Sequence, residues 1–298
     1  MSLRPTTRTF AKIQWSGYLY VLPALAVLAA FILWPTIYSL LLSVQRWDFL
    51  SEARPFVGLQ NYQSLLESSE FRNSLRVTLI FVGASVPARI VLALALAHLV
   101  LKETRLNRVL RGVYFLPVVS SSVAISLSWR WLFNTDAGLV NAVIQALGGP
   151  AVPWLINPTS ALWAVVIVAV WQQLGYDIVL FIAGLKAIPQ EYIDAARIDG
   201  AHGGQVFRFI TIPLLSPTTF FVLIISVIGS FQVFSIVNVM TGGGPALGTD
   251  VLVNLLYRRA FIFFDIGRAS ALAVLLLLIL LGLTYIQFRF LGRRVHYG

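Results

Sequence analysis

The sequence has no cysteine and little charge. Only 12 of its 298 residues are acidic, and charged residues of both signs make up 11% of the chain. Without cysteine there is no disulfide framework and no thiol chemistry. Soluble domains carry roughly 25% charged residues. The low charge, together with 58% hydrophobic residues and a mean hydropathy of +0.82, therefore predicts a protein that lies in lipid.

The net charge of +10 does not indicate a nucleic-acid-binding protein. Its Lys and Arg residues form short clusters beside apolar runs, with no basic stripe that contains interleaved aromatic residues. Positive charge at the cytoplasmic ends of membrane helices accounts for this pattern better. We therefore expect the lipid bilayer, and no nucleic acid, as a partner.

Six apolar runs approach the roughly 20 residues that a membrane helix requires. They cover residues 17–44, 77–101, 113–133, 162–185, about 214–239 and 269–290. The third run is the weakest, because serines and Arg130 dilute it, and Pro117 with Ser120–Ser122 is expected to loosen it. The first run is too long for a signal peptide and predicts a retained anchor. The sequence thus predicts an all-α integral membrane protein with six transmembrane helices.

The distribution of Lys and Arg predicts the orientation of these helices. One set of connections and ends is strongly basic: Arg4, Arg8, Lys12, Lys102, Arg105, Arg108, Arg111, Lys186, Arg197, Arg208, Arg289, Arg293 and Arg294. On the opposite side the basic residues are fewer and mixed with acids. Both termini are therefore expected in the cytoplasm, with residues 1–16 as a cytoplasmic segment and 17–298 as a single transmembrane domain.

The connection "IPQEYIDAARIDGAHGGQVFRFITIPLL", residues 188–215, has an unusual density of charge for this chain. Pro189 can start a helix and Gly200 can end it. Asp194 and Arg197 are three residues apart and can pair. From the residues alone, a solvated membrane-surface connection and a docking site for a partner remain equally open.

The same stretch resembles the "EAA" loop of permease subunits in bacterial ABC importers. The family has Glu-Ala-Ala, three residues, Gly, nine residues and Ile-x-Leu-Pro, whereas this chain has Asp194 for the Glu and Ile212 for the Leu. The resemblance implies that the loop, about residues 186–213, forms a coupling helix that seats on a cytoplasmic ATPase. The implied contact residues are Glu191, Asp194, Ala195, Ala196, Arg197, Asp199 and Gly200.

The resemblance covers nearly the whole chain and is most similar to the sugar-importing subgroup, which includes the maltose and glycerol-3-phosphate importers. It is carried by "GYLYVLPALAVLAAFILWPTIYSLLLSVQRWD", "FVGLQNYQSLL" and "VMTGGGPALGTDVLVNLLYRRAFIFFDIGRASA". The glycine-rich part, Gly242–Pro245, lacks the Gly-Lys-Ser/Thr of a phosphate loop and predicts a tight external turn. The fold implied is the type I ABC importer permease fold in the bacterial cytoplasmic membrane.

The resemblance also implies the partners. These are a second homologous permease, two ATPase subunits, an external solute-binding protein and a substrate that is a sugar or a related polyol or oligosaccharide, with a glycerol phosphate as the open alternative. This chain is then a transport subunit without an ATPase site and binds no cofactor itself, while ATP and Mg belong to the partner ATPases.

Polar residues in the fourth and fifth runs are candidates for the substrate path, because such groups in membrane helices usually face a cavity or the bundle interior. Gln172 and Tyr176 share one helix face, amides suit sugar hydroxyls, and aromatic rings can cover a pyranose. By resemblance to the maltose importer, contacts are expected from Trp171, Gly175, Tyr176, Ser226 and Ser230. The full candidate set is Trp171, Gln172, Gly175, Tyr176, Ser226, Ser230 and Gln232. Helix-to-helix hydrogen bonding without a ligand is an equal alternative for each.

Arg89 is a charge within the second run and needs a partner. It could bind an anionic substrate, but structural pairing with an acid of a partner subunit is favoured. An ion-driven secondary transporter is the alternative function. It would require an inverted repeat and a paired intramembrane acid, for which Arg89 and Asp177 are the candidates, and the sequence shows no repeat. No catalytic residues and no metal-ligand spacing are found, since His98, His202 and His296 lie far apart.

Overall fold

The computed structural model describes residues 15–292, with side chains from Tyr20 onward. The basic residues Arg4, Arg8, Lys12, Arg293 and Arg294, on which part of the predicted orientation rests, lie outside the described residues. Within them the fold is helical, and an isolated β-bridge joins Gln45 to Phe56.

Fifteen α-helices follow one another along the described part of the chain. They are α1 Trp15–Leu28, α2 Trp34–Ser43, α3 Gln60–Glu67, α4 Ser69–Leu99, α5 Arg105–Val119, α6 Ser122–Leu132, α7 Leu139–Ala146, α8 Pro158–Lys186, α9 Gln190–Ile198, α10 Gly203–Val206, α11 Ile212–Leu214, α12 Ser216–Phe231, α13 Ser235–Met240, α14 Leu252–Tyr257 and α15 Ile266–Ile286. Wider, π-helical turns at Ala29–Leu33, Phe207–Thr211, Arg258–Ile262 and Gln287–Leu291 continue α1 into α2, α10 into α11, and extend α14 and α15.

Four unbroken helices are long and apolar enough to cross a membrane: Tyr20–Ser43, Ser69–Leu99, Pro158–Lys186 and Ile266–Leu291. Local signals define where they begin. The Ser68 hydroxyl accepts a hydrogen bond from the Phe71 amide at the start of α4, and Asn157 caps α8 ahead of Pro158. These four helices match the first, second, fourth and sixth apolar runs.

The third and fifth runs are bent, not straight. The axis turns by 100° between α5 and α6, and by 63° between Gly203–Leu214 and α12. The third run was expected to be continuous from residue 113 to residue 133, but its chain is extended at Ser120–Ser121. The fifth was expected to reach Val239, but α12 ends at Phe231 and α13 is a separate helix. With each bent pair counted as one span, the described residues contain six.

The core lies where α4 packs along α8, with α5 and α12 against them. Small side chains allow this close approach, since Ala93, Ala97 and Ala164 are fully buried between the helices. By contrast, only 6% of the most apolar part of Tyr20–Ser43 is buried within the chain. Its α2 half packs on α15, and the rest presents apolar side chains to the surroundings.

The segment between α13 and α14 is a compact turn held by a buried carboxylate. Gly242 and Gly243 have φ of +62° and +93°, which suits glycine. Asp250 is fully buried and accepts hydrogen bonds from Ser74 on α4, Asn254 and Arg258, the last at 2.6 Å. The tight turn predicted from the glycine run is confirmed, and it is fastened to the beginning of α4.

Candidate functional site

A polar cavity of about 300 Å³ lies between α4, α6, α8, α12 and α13. The long helix α8 supplies one wall, because Gln172, Gln173 and Tyr176 lie within about one turn and face the same space. The complete lining is Phe81, Ser85, Arg89, Ser122, Ala169, Gln172, Gln173, Tyr176, Ile225, Gly229, Ser230, Gln232, Val233, Phe234, Ser235 and Ile236. Amides, hydroxyls and aromatic rings therefore dominate its chemistry.

The end of α12 forms the opposite wall. The helix stops at Phe231, and the three residues before α13 leave helical geometry, so that Gln232 and Phe234 line the cavity. Ser230 is buried and lies 3.3 Å from the Ser85 hydroxyl of α4, which joins the two walls. The break between α12 and α13, which the apolar pattern did not reveal, thus places Gln232 and Phe234 in the cavity wall.

One wall of the cavity contains a buried ion pair. Arg89 of α4 donates from Nε and from one terminal nitrogen to the two oxygens of Asp177 of α8, at 2.8 and 2.9 Å. Asp177 is fully buried and Arg89 is 6% exposed. The two-point geometry is the strongest arrangement that an arginine and a carboxylate form. Arg89 is thus paired structurally, as favoured, but the expectation that a partner subunit supplies the acid is wrong, because Asp177 belongs to the same chain.

A hydrogen bond fastens the cavity to the α5–α6 bend. Gln172 Nε2 donates to Ser122 Oγ at 2.8 Å, and Ser122 is the first residue of α6. Gln172 is 3% exposed, and both residues line the cavity. The bend itself is therefore part of the cavity wall.

Four of the predicted substrate-path residues are brought together and three are not. Gln172, Tyr176, Ser230 and Gln232 line the cavity. Trp171 is 40% exposed and packs against Trp129 instead. Gly175 is buried against α5, where a Cβ would lie 2.0 Å from the Tyr114 carbonyl oxygen, so its role is close helix packing. Ser226 is fully buried outside the cavity lining, and its hydroxyl has no partner among the described residues.

The cavity also includes residues that the sequence did not single out for the path. Ser85, Phe234 and Ser235 line it, and Ser122 was noted only as a residue that loosens or packs its helix. A polar residue within an apolar run was the available signal for Ser85. No local pattern indicates that α13 folds back over the cavity.

The charged connection after α8 forms its own helix, as its proline and glycine predicted. Pro189 precedes α9, the helix ends at Ile198, and Gly200 has φ of +84°. Asp194 and Arg197 pair at 3.4 Å. The predicted contact residues are exposed except Ala196, which is half-buried: Glu191, Asp194, Ala195, Ala196, Arg197, Asp199 and Gly200.

A groove of about 370 Å³ runs between α9 and the chain that follows it. Tyr192, Ala195 and Ala196 line one side, and Phe209 and Pro213 the other. His202 caps the start of α10 in a reciprocal arrangement. Its side chain accepts a hydrogen bond from the backbone N–H of Gln205, and the Gln205 side chain accepts one from the backbone N–H of His202. The two short helices thus present an exposed, partly apolar surface.

A cluster of three charged side chains lies where α8 leads into the charged connection, and it joins that end of α8 to α4 and α5. Glu103 accepts from Arg111 of α5 at 3.0 Å and from Lys186 at the end of α8. The hydrogen bonds and charges of Lys186 and Arg111 lower the pKa of Glu103 to about 2. Arg111 also donates to the carbonyl oxygens of Val100 and Leu101 just after α4. The ends of α4, α5 and α8 are therefore joined near the start of α9.

Within residues 15–292 no three His, Cys, Asp or Glu side chains form a group that could hold a metal ion. The site is thus a polar cavity inside a helical membrane bundle, together with an exposed helical connection at one end. This arrangement can bind and pass a solute.

Comparison with known proteins gives the same class. Residues 89–297 match the family of binding-protein-dependent transport system inner membrane components. The sn-glycerol-3-phosphate transport system permease protein UgpA of Agrobacterium fabrum is 36% identical over 290 residues, covering 94% of this chain and 96% of that protein. The protein of the same description from Rhizobium meliloti is 36% identical over 288 residues, covering 94% and 96%.

Solved structures share the fold. A chain of a bacterial alginate ABC transporter, in complex with alginate pentasaccharide-bound periplasmic protein, superposes with a TM-score of 0.81 at 21% identity, covering 95% of this chain and 96% of that chain. An inward-facing MetNI methionine ABC transporter superposes with a TM-score of 0.57 at 17% identity, covering 80% and 99%.

The fold and the site define a membrane-embedded transport subunit. The chain belongs to the family of binding-protein-dependent transport system inner membrane components, the permeases of bacterial ABC importers. It is accordingly a multi-pass inner-membrane protein and not an enzyme. The alternative of an ion-driven secondary transporter loses its support.

Proposed function

We propose that this chain forms half of the translocation pathway for a neutral sugar or polyol, together with a second homologous permease. An external solute-binding protein delivers the solute, and two ATPase subunits drive the transport cycle. ATP and Mg bind to the ATPase subunits, and this chain contributes the polar path and the coupling loop.

The observation that carries the substrate class is the neutral wall of the cavity. Its one cationic side chain, Arg89, is already paired at two points with Asp177. What remains for a solute is a set of uncharged donors and acceptors on Gln172, Gln173 and Ser230, beside the ring of Tyr176. Such groups suit hydroxyls, which donate and accept, whereas a phosphate would meet no free positive charge on this wall.

The relatives at 36% identity carry the description of sn-glycerol-3-phosphate permeases, so glycerol phosphate is the rival substrate. The discriminating experiment uses the complex reconstituted in liposomes with its ATPases and binding protein. We expect ATP-driven uptake of a neutral sugar or polyol, with glycerol phosphate at background. The reverse result would reject the neutral-solute proposal but keep the transport function.

Two variants test whether the cavity is the path. Tyr176→Ala and Ser230→Leu are expected to reduce uptake several-fold without preventing assembly, because both residues line the cavity. Tyr285→Ala is the matched control, since Tyr285 is 68% exposed on α15 and outside the cavity. Equal losses in the control and the cavity variants would show that the cavity is not the path.

We propose further that the chain crosses the membrane six times, with residues 1–16 and the C-terminal end in the cytoplasm and residues 17–298 as a single domain. The four long helices and two bent pairs support this count, and the basic cluster around Lys102–Arg111 supports the orientation. A reporter inserted between Gly203 and Gly204 is expected in the cytoplasm, and one beside Gly244 outside. A cytoplasmic reporter at Gly244 contradicts the topology.

The exposed α9 and its groove are the proposed coupling element. Glu191, Asp194, Arg197 and Asp199 give a charged rim, and Tyr192 with the two alanines gives a surface that another protein can approach closely. Each permease of the pair would seat one such helix on one ATPase. Closure of the ATPases on ATP would then move the ends of α4, α5 and α8 together, because the Glu103 cluster joins them.

A further inference from the structure

A pair of exposed arginines lies at the beginning of α4, away from the cavity and from the coupling loop. Arg72 and Arg76 are one turn apart on the same face of the helix. Arg72 donates to the Glu67 carbonyl oxygen at 3.2 Å. Within residues 15–292 neither arginine forms an ion pair, and the side chain of Arg76 forms no hydrogen bond.

The nearby acids are already engaged. Glu70 pairs with Arg259, and Glu67 accepts a hydrogen bond from Gln63. The two guanidinium groups therefore present positive charge outward that this part of the chain does not neutralise.

A shallow apolar groove on the outer face of α4 alone continues directly from these arginines. It is lined by Arg72, Leu75, Arg76, Leu79 and Ile80. Leu79 and Ile80 are 52% and 41% exposed, so the floor of the groove faces the surroundings of the bundle. Positive charge thus lies at one end of the groove and an open hydrocarbon surface at the other.

The position along α4 places the arginines at the edge of the lipid. The helix has 31 residues and is about 46 Å long at about 1.5 Å per residue, which exceeds the roughly 30 Å hydrocarbon core. From Val77 to Leu99 its only Lys, Arg, Asp or Glu is the paired Arg89. The hydrocarbon-spanning part therefore begins right after Arg76, and the guanidinium groups lie at the level of the lipid headgroups.

We propose that Arg72, Arg76 and this groove form a binding site for an anionic phospholipid. The headgroup phosphate accepts hydrogen bonds from both guanidinium groups, and an acyl chain lies along Leu75, Leu79 and Ile80. In the proposed topology α4 begins outside, so the lipid belongs to the outer leaflet of the membrane. Charge-assisted bonds from arginine to phosphate are strong, and one guanidinium group can bind two phosphate oxygens. The apolar floor distinguishes this ligand from a free phosphate or an acidic protein surface, neither of which needs hydrocarbon contact.

The test measures the association of spin-labelled phosphatidylglycerol with the whole transporter complex in phosphatidylcholine vesicles. Arg72→Gln/Arg76→Gln is expected to weaken the association of the labelled lipid about tenfold, while Arg72→Lys/Arg76→Lys keeps most of it because the charge remains. The matched control is Arg46→Gln/Arg54→Gln, which removes two exposed arginines from the connection before α3, on the same side of the bundle, that do not line the groove. Unchanged binding in the first variant, or an equal loss in the control, overturns the proposal.

A second arm separates the possible ligands. Leu79→Ser/Ile80→Ser is expected to weaken phosphatidylglycerol binding several-fold, and added inorganic phosphate is expected not to displace the lipid. Displacement by phosphate together with full binding in the serine variant would identify a phosphate site instead. If the glutamine variant leaves lipid binding intact but lowers ATPase stimulation by the binding protein, the arginines contact that protein and the lipid site is rejected.

Discussion

Arg89 and Asp177 show how a charged residue is kept inside this membrane protein. Each charge is desolvated, and the two-point contact at 2.8 and 2.9 Å compensates it. Removal of one partner leaves the other charge buried and unpaired, which is generally far more destabilising than removal of both.

We therefore expect Asp177→Asn to destabilise the purified complex by about 3–5 kcal/mol, while Arg89→Gln/Asp177→Asn restores a large part of that loss. The measurement is thermal unfolding in detergent for the wild type, both single variants and the double variant. A double variant as unstable as the sum of its singles would show that the pair has no mutual stabilisation.

Two glycines near each other test the coupling element. Neither Gly200 nor Gly203 has any atom within 4 Å of an added Cβ, but Gly200 has φ of +84° and Gly203 lies in the first turn of α10. Gly200→Ala is thus expected to cost about 1 kcal/mol or more in local strain and to misplace α9, whereas Gly203→Ala is tolerated.

The readout is ATPase activity of the reconstituted complex with liganded binding protein. Stimulation is expected to fall in Gly200→Ala and to stay near the wild-type level in Gly203→Ala. If the two variants behave alike, the left-handed turn after α9 is not what positions the coupling helix.

Contact between α5 and α8 depends on a missing side chain. A Cβ on Gly175 would lie 2.0 Å from the Tyr114 carbonyl oxygen, and this atom belongs to the backbone of α5 and cannot rotate away. Gly175→Ala is expected to destabilise the bundle by about 1–3 kcal/mol. Gly83→Ala on α4 is the matched control because nothing lies within 4 Å of its added Cβ. Equal melting temperatures in detergent for the two variants would refute this packing.

Local sequence signals predicted local structure, whereas features that depend on contacts between distant residues could not be predicted from the sequence. Pro189 and Gly200 are local signals, and they correctly predicted where α9 begins and ends. Hydropathy identified the apolar runs but not the 100° bend at Ser120–Ser121, since a bent and a straight helix are equally apolar. The Arg89–Asp177 pair joins residues 88 positions apart, so local spacing could not predict it. Trp171 packs against Trp129 of α6 and not into the cavity, and this contact between distant residues could not be predicted either.

At the scale of the whole molecule, the cluster of Glu103, Arg111 and Lys186 makes the contact between α4, α5 and α8 sensitive to acid. The pKa of Glu103 is lowered from 4.5 to about 2 by Lys186 and Arg111. A lowered carboxyl pKa means that the stabilisation is present above the usual value and is lost as the pH falls toward about 2.

Glu103→Gln is therefore expected to lower the melting temperature slightly at neutral pH, with a difference from the wild type that shrinks as the pH falls below 4.5. The exposed location makes the effect small and sensitive to salt. Glu52→Gln, another exposed carboxylate without an ion pair within residues 15–292, is the control. If the difference in melting temperature between Glu103→Gln and the wild type grows on acidification, the direction assigned to the pKa shift of Glu103 is wrong.

The pairing of Arg89 with Asp177 in the cavity wall also has an electrical consequence. An unpaired arginine that moved across the whole membrane would contribute about 2.3 kcal/mol per 100 mV to the transport cycle, but Arg89 carries its counter-charge with it. Passage of a neutral solute along this wall is therefore electrically silent. We expect valinomycin-imposed voltages of either sign to leave ATP-driven uptake in liposomes unchanged, whereas a voltage-dependent rate would show that net charge moves with the solute.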